Sequence, residues 1–122
     1  RTYAADNDPL DVLVLCSENV VPMTLMRCYP IGVIIMEDSG DMDEKIIAIP
    51  YSDPTYMSYT SVDELPKHIF QELKHFFSVY KQLEGKKTEV NDFGGPTEAI
   101  AIIQEAMDSY QKKFGSAQNQ EV

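Results

Sequence analysis

Three carboxylates, those of Asp6, Asp8 and Asp11, fall within six residues and lead directly into the apolar run at residues 12–16. If they converge, each pair of charges about 4 Å apart costs on the order of 4 kcal/mol at the effective dielectric of a protein surface. A cation must then offset the repulsion. Oxygen ligands without a neighbouring His or Cys suit a hard ion such as Mg²⁺ or Mn²⁺ better than zinc.

The same stretch also has a simpler interpretation as a solvated turn. Asn7, Asp8 and Pro9 are turn-forming residue types, and Asx side chains in turns accept hydrogen bonds from nearby backbone N–H groups. Taken alone, the stretch favours the turn over a metal site, so the remainder of the chain must decide between them.

The length of 122 residues predicts a single domain, residues 1–122, and a content of 43% hydrophobic residues predicts that it folds. The formal net charge of −10 disfavours sequence-independent binding to nucleic acid or to an anionic membrane. No apolar run of about 18 residues and no signal peptide is present, so we expect a soluble cytoplasmic protein. Cys16 and Cys28 are expected to be small core residues. The chain opens on Arg1 rather than Met, which suggests truncation at the N-terminus.

The first half of the chain predicts strands. Residues 11–16, rich in Val and Leu, are expected to form a strand buried on both faces. Residues 25–36 contain a Pro and a Gly, which predicts a bent or bulged strand. An acidic turn at residues 37–44 connects it to a strand at residues 45–50, so the two strands form a hairpin with an acidic tip.

The second half predicts an ordered loop at residues 51–60 and then a helix. Ser61 and Glu64 have the spacing of a capping box, Pro66 suits a first helical turn, and Gly85 suits a helix stop. The apolar stripe of this helix consists of Ile69, Phe70, Leu73, Phe76, Phe77, Tyr80 and Leu83.

A short strand at residues 86–93 and a second helix from Pro96 to about Lys113 follow. The stripe of the second helix consists of Ile100, Ile103, Met107, Tyr110 and Phe114. The polar tail, residues 115–122, is expected to fray. Strands followed by helices, without βαβ alternation, predict an α+β fold, such as a small barrel with packed helices.

The second acidic cluster, residues 38–44, does not have EF-hand spacing, because three of the required ligand positions carry no side-chain oxygen. Taken alone, the cluster predicts a solvated hairpin tip. Two acidic clusters followed by Lys45, however, combine cation-binding carboxylates with a fixed ammonium, as a phosphate ligand requires. Tyr80 and Lys81 have ordinary explanations, as a core residue and as a charge near a helix C-terminus.

Four segments match one known pattern in order and approximate spacing. They are Asp6-x-Asp8-Pro9-x-Asp11-Val-Leu-Val, Arg27-Cys28-Tyr29-Pro30-Ile31-Gly32, Asp38-x4-Asp43-x-Lys45 and His75-Phe76-Phe77-x2-Tyr80-Lys81, and Val90-Asn91-Asp92-Phe93 adds a weaker match. Together they resemble the soluble family I inorganic pyrophosphatases over about residues 1–114. One motif would be weak, but four in register are specific, and the resemblance reverses the preference for a simple turn.

The resemblance implies an OB-like five-stranded β-barrel with two α-helices packed outside it, the N-terminal strands being absent from this chain. It also implies Mg²⁺-dependent hydrolysis of pyrophosphate to two phosphates by attack of a metal-bridging water. Mn²⁺ or other divalent ions are alternatives to Mg²⁺, and a homo-oligomer, either a dimer or a hexamer, is implied.

The resemblance also assigns roles by position. Asp8 matches the base that helps to deprotonate the attacking water. Metal ligands are implied at Asp6, Asp11, Asp38 and Asp43. Groups that bind phosphate oxygens are implied at Lys45, Tyr80 and Lys81. Ser39 departs from members that carry a second acid there, which leaves an outer contact to metal-bound water in doubt.

Two interpretations from other classes remain at this stage. A truncated barrel could be a catalytically silent, oligomeric OB-like interaction module. An OB-type nucleic-acid binder is disfavoured, since such folds use basic grooves with stacking aromatics and this chain is acidic. If the 122 residues are the whole polypeptide, we expect little or no pyrophosphatase activity.

Overall fold

A computed structural model describes residues 1–115 as four strands and two α-helices. The elements are β1 (Asp11–Val14), β2 (Cys28–Asp38), β3 (Asp41–Pro50), α1 (Lys67–Val79), β4 (Thr88–Gly94) and α2 (Pro96–Tyr110). This order confirms the predicted α+β class. Of the predicted frayed tail, Gly115 ends a short π-helical segment, Gln111–Gly115, and residues 116–122 lie outside the described residues.

The four strands form one mixed sheet in the order β1-β3-β2-β4. Strand β1 runs parallel to β3, whereas β2 is antiparallel to both β3 and β4. The expected OB-like five-stranded β-barrel is therefore not what residues 1–115 form. Strands β1 and β4 lie at opposite edges and do not pair with each other, so the described sheet stays open.

The predicted hairpin is confirmed, although its turn is tighter than expected. Ser39 and Gly40, with φ values of 54° and 88°, form the whole connection between β2 and β3. Positive φ at both central residues is typical of the type I′ turn, whose twist matches that of paired strands. Most of the acidic tip therefore belongs to the strands. The predicted bulge is also present, as a register shift between Pro30 and Gly32.

The sheet lies between the two helices, with one apolar core on each face. Successive residues of a strand point to opposite faces, so Ile47 of β3 belongs to one core and Ile46 to the other. Helix α1 covers the first core through Phe77, and α2 covers the second through Ala99. Neither helix, within residues 1–115, combines the length and apolar character needed to cross a membrane.

Strand β1 is more exposed than predicted. The sequence favoured a strand buried on both faces, but Val12 is 51% exposed. The reason is topological, because β1 is an edge strand that pairs only with β3 in the described part of the chain. An edge strand presents unpaired backbone groups on its open side.

The helices begin close to where they were predicted, but their buried faces differ from the apolar stripes. The capping box at Ser61 closes a separate 3₁₀ turn, Val62–Glu64, so that α1 begins one residue after Pro66. Two members of the predicted stripe are exposed, Phe76 on α1 and Leu83 in a 3₁₀ turn beyond the end of α1.

On α2, Ile100 and Met107 are exposed, while Ala99 and Ala106 are buried. Small side chains allow a helix to approach a sheet closely, so that Ile100 and Met107 lie outside the contact while Ile103 still packs against the core. The stripe of α2 was therefore partly wrong.

The predicted ordered loop between β3 and α1 is organised by Asp53, which is buried. Its carboxylate accepts hydrogen bonds from the Ser17 backbone N–H (2.7 Å) and hydroxyl (3.0 Å). It also accepts from the backbone N–H groups of Thr55 (2.9 Å) and Tyr56 (3.2 Å). Asp53 thus ties the loop after β3 to the segment after β1.

Candidate functional site

Carboxylates and lysines from four separate segments converge in one open cleft of about 260 Å³ at the end of the α1 face of the sheet. We call it the acidic cleft. Its walls are Asp6, Asp8, Asp11, Asp38, Asp41, Met42, Asp43, Lys45, Tyr80, Lys81 and Lys86. The structure therefore brings together all of the site residues that the sequence singled out.

The first wall of the cleft is the tight turn that carries Asp6 and Asp8. Asn7 adopts a left-handed conformation with φ 66°, and the backbone N–H of Asp8 donates to Asp6 Oδ1 at 3.2 Å. The Ala4 N–H donates to the Asp8 carbonyl at 2.8 Å, and the Tyr3 hydroxyl donates to Asn7 Oδ1 at 2.8 Å. The turn interpretation is thus correct for the local structure, and the same turn directs two carboxylates to the cleft.

Lys45 forms the floor of the cleft between two carboxylates. Asp11 lies opposite Lys45 in the β1–β3 register, and Asp43 precedes Lys45 by two residues on the same face of β3. The Lys45 ammonium donates to Asp11 Oδ2 at 2.8 Å and to Asp43 Oδ1 at 3.2 Å. Burial opposes the charge of Lys45, but these two partners outweigh it and raise the Lys45 pKa above its ordinary value.

The second ion pair of the cleft joins Asp38, at the end of β2, to Lys81, just beyond α1. The hydrogen bond from Lys81 lowers the pKa of the Asp38 carboxyl, and the same bond raises the pKa of Lys81. Tyr80 is fixed beside them by its ring contacts with Phe76 and Phe77. Both ionic partners are therefore charged at neutral pH.

The donor atoms of the cleft fit a hard divalent cation. Six carboxylates face three lysines, so the cleft carries an excess of negative charge, and its described walls include no thiol or imidazole. An all-oxygen set of this kind suits Mg²⁺ or Mn²⁺. Within residues 1–115, however, no three such side chains lie close enough together to hold one ion between them. Lys45 lies between Asp11 and Asp43, which explains the spacing of that pair.

Two charged residues of the cleft, Asp41 and Lys86, were not singled out from the sequence. A signal for Asp41 did exist, because a Ser-Gly pair flanked by acids marks a tight turn. That turn places Asp41 directly opposite Asp38. Lys86 had no comparable signal, since its position depends on the left-handed Gly85 (φ 70°) before it.

A larger cavity of about 630 Å³ lies on the other side of the N-terminal turn, against α2. Its walls include Tyr3, Leu10, Glu44, Ile102 and Glu105. Burial raises the pKa of Glu44, and the nearby charge of Glu105 adds to the effect. None of the predicted catalytic, metal-binding or phosphate-binding residues lines this cavity, so the acidic cleft is the candidate site.

Sequence comparison gives matches along nearly the whole chain. The family profile described as inorganic pyrophosphatase matches residues 1–111. Soluble inorganic pyrophosphatase 2 of Chlamydomonas reinhardtii is 44% identical over 114 residues, covering 93% of this chain and 59% of that protein. The inorganic pyrophosphatase of Aquifex pyrophilus is 44% identical over 115 residues, covering 92% of this chain and 65% of that protein.

Comparison with solved structures gives the same result. The inorganic pyrophosphatase of Helicobacter pylori superposes with a TM-score of 0.86 at 38% identity, covering 90% of this chain and 66% of that one. The inorganic pyrophosphatase of Thermus thermophilus gives a TM-score of 0.86 at 29% identity, covering 90% of this chain and 65% of that one. The chain spans between about half and two-thirds of the length of the curated relatives it matches.

Proposed function

Because the chain belongs to the inorganic pyrophosphatase family, whose profile matches residues 1–111, we propose that the protein hydrolyses inorganic pyrophosphate to two phosphate ions in the acidic cleft. The observation that carries this proposal is the convergence of the N-terminal turn, β1, the β2–β3 hairpin and the end of α1 on one cleft. The resemblance deduced from four short motifs is confirmed at the level of the family.

Lys45, Tyr80 and Lys81 are proposed to bind phosphate oxygens. Both lysines are charged at neutral pH and are fixed by carboxylate partners, so their donors are oriented before a substrate arrives. Donors that are fixed in advance stabilise charge as it develops in a transition state without first having to reorganise. The bonds to Asp11 and Asp43 use two of the three N–H donors of Lys45, which leaves one for another acceptor.

Asp8 is proposed as the general base. It is exposed in the cleft wall, and its backbone is fixed by hydrogen bonds to Asp6 and Ala4. A carboxylate in this position takes a proton from the attacking water onto one of its Oδ atoms as the new O–P bond forms, the bridging P–O bond breaks and the second phosphate leaves. Asp8 is the only residue of the cleft for which we propose this role.

Asp6, Asp11, Asp38 and Asp43 are proposed to hold Mg²⁺, with Mn²⁺ or another divalent ion as an alternative. When bound, the ion supplies a Lewis acid that neutralises charge on the phosphate oxygens. The excess of carboxylates over lysines in the cleft supports this assignment.

A homo-oligomer, either a dimer or a hexamer, and a cytoplasmic location remain predictions. The catalytically silent interaction module predicts no turnover at all. Binding of nucleic acid is opposed by the charge of the cleft, since affinity for a phosphate backbone comes mainly from Lys and Arg.

The test is release of phosphate from pyrophosphate, in the presence and absence of Mg²⁺, by a longer protein of verified mass in which a family-like N-terminal segment precedes residues 1–122. We expect turnover that requires the divalent ion and stops when a chelator is added. A protein of correct mass that remains folded and releases no phosphate with ample Mg²⁺ would contradict the proposed function and favour the silent module.

A further inference from the structure

Two of the three lysines in the acidic cleft form ion pairs with carboxylates. Lys45 is bonded to Asp11 and Asp43 and is almost fully buried. Lys81 is bonded to Asp38. An anion that enters the cleft therefore meets, at each of these two lysines, an ammonium group that already has a carboxylate partner.

Lys86 is different. It lines the same cleft and is exposed, yet its side chain forms no ion pair or hydrogen bond within residues 1–115. Its charge still acts on the cleft, where it makes a small contribution to lowering the pKa of Asp38. An ammonium whose ligand is water binds an anion without first losing a protein partner.

The backbone fixes Lys86 beside Lys81. A 3₁₀ turn, Gln82–Glu84, follows α1 and ends at the left-handed Gly85. The Lys86 N–H then donates to the Lys81 carbonyl at 3.3 Å, which returns the chain to the cleft. Glycine adopts this conformation without steric cost, and the hydrogen bond to Lys81 holds the Lys86 backbone at the cleft.

The next residue, Lys87, faces away from the cleft. It lines a separate groove with Glu37, Ser39, Gly40 and Glu89, and its carbonyl accepts a hydrogen bond from the Ser39 N–H at 3.0 Å. Both lysines are exposed. The two neighbours therefore carry the same charge at almost the same place in the molecule, and only one of them faces the acidic cleft.

We propose that Lys86 is a further substrate-binding residue, which contacts the phosphate group of an incoming diphosphate alongside Lys45 and Lys81. The ligand class is a phosphate or diphosphate anion. The inference rests on the proposed function for the identity of the anion, but the binding role of Lys86 can be measured separately from turnover.

The experiment compares Lys86→Gln with Lys87→Gln in the whole protein, using the non-hydrolysable analogue imidodiphosphate as the probe. Calorimetry at fixed Mg²⁺ gives the dissociation constant, and phosphate release gives kcat and KM. We expect Lys86→Gln to weaken analogue binding by about three- to tenfold and to raise KM more than it lowers kcat. Lys87→Gln should bind the analogue as the wild type does, and Lys86→Arg should restore most of the affinity.

An equal loss of affinity in both glutamine variants would indicate general charge attraction and would overturn the inference, as would unchanged binding by Lys86→Gln. A wild type that binds the analogue in a Lys86-dependent way but releases no phosphate would refute the proposed function and leave the inference standing. A wild type that does not bind the analogue would overturn the inference directly.

Discussion

Lys45 holds a carboxylate from each of two strands, and this contact makes Asp11 the most informative residue of the cleft. We predict that Asp11→Asn weakens Mg²⁺ binding by at least about tenfold, because the charge on the ligands controls affinity for a hard cation. The amide keeps the size of the carboxylate but loses its charge, and it can no longer form the ion pair with Lys45. Titration with Mg²⁺ by calorimetry measures the effect, and an isotherm equal to that of the wild type would remove Asp11 from the metal site.

Asp8 leads to a different kinetic prediction. In the whole enzyme, Asp8→Asn should lower kcat by about 10²- to 10⁴-fold, the usual contribution of a general base. KM should change much less, because the lost group acts mainly in the transition state. Steady-state phosphate release measures both constants. A variant with nearly normal kcat and a raised KM would show that Asp8 is a ligand and not the base.

At the scale of elements, Asp53 connects the segments that follow β1 and β3. The hydrogen bond from the Ser17 backbone, together with those from the Ser17 hydroxyl, Thr55 and Tyr56, holds the Asp53 pKa below its ordinary 3.8. A carboxyl with a lowered pKa stabilises the fold above its unfolded-state pKa, and that stabilisation is lost as the pH falls through the folded-state value.

We therefore predict that Asp53→Asn lowers the melting temperature at pH 7, and that the difference from the wild type narrows as the pH falls below about 4. Thermal unfolding measured across this range tests the prediction. A difference in melting temperature that stays constant with pH would mean that the charge of Asp53 does not stabilise the contact between the segments after β1 and β3.

The bulge in β2 brings the backbone of Gly32 close to Val62 and Gly94. A Cβ atom on Gly32 would lie 2.7 Å from Val62 Cβ and 2.8 Å from the Gly94 carbonyl oxygen. We expect Gly32→Ala to lower the free energy of unfolding by about 2–3 kcal/mol, since overpacking a tight core forces the backbone to move.

Gly95→Ala is the matched control, because a Cβ atom there meets nothing within 4 Å. Gly95 is the N-cap residue of α2, so its replacement by Ala should lower the free energy of unfolding by roughly 1 kcal/mol or less. Chemical denaturation of both variants gives the comparison. Equal destabilisation would contradict the packing argument for Gly32.

The sequence predicted the elements better than it predicted their buried faces. Proline, glycine and capping residues act locally, so the bulge at Pro30 and the capping box at Ser61 could be located without a structure. The exposure of Val12 depends on the edge position of β1 in the sheet, and no local sequence pattern predicts that position. The predicted site residues all line one cleft because the family motifs that located them are specific, whereas the position of Lys86 depends on a loop path that its neighbours in sequence do not reveal.

At the scale of the whole molecule, the open sheet makes a prediction about residues 1–122 expressed alone. Their β1 edge is unpaired on one side within the described residues, and Val12 is half exposed there. Such an edge invites pairing with another chain. We expect this polypeptide to self-associate and to show at most a trace of pyrophosphatase activity with ample Mg²⁺.

Light scattering and phosphate release from material of verified 13.8 kDa mass test this expectation, with a longer protein carrying a family-like N-terminal segment as the comparison. Monomeric material with turnover in the usual enzymatic range of about 1 to 10³ per second would show that residues 1–122 are sufficient for activity.

The parallel pairing of Asp11 with Lys45 also has a consequence for the folding pathway. The β2–β3 hairpin closes across a two-residue turn and can form within about 1–10 μs. The pairing of β1 with β3 joins residues 34 positions apart, and such distant contacts raise the contact order and slow folding. A partly folded chain can therefore contain the hairpin and α1 with an incomplete cleft. In the longer protein, we expect recovery of catalytic turnover after dilution from denaturant to lag behind recovery of secondary structure, so that activity reports the final docking of β1.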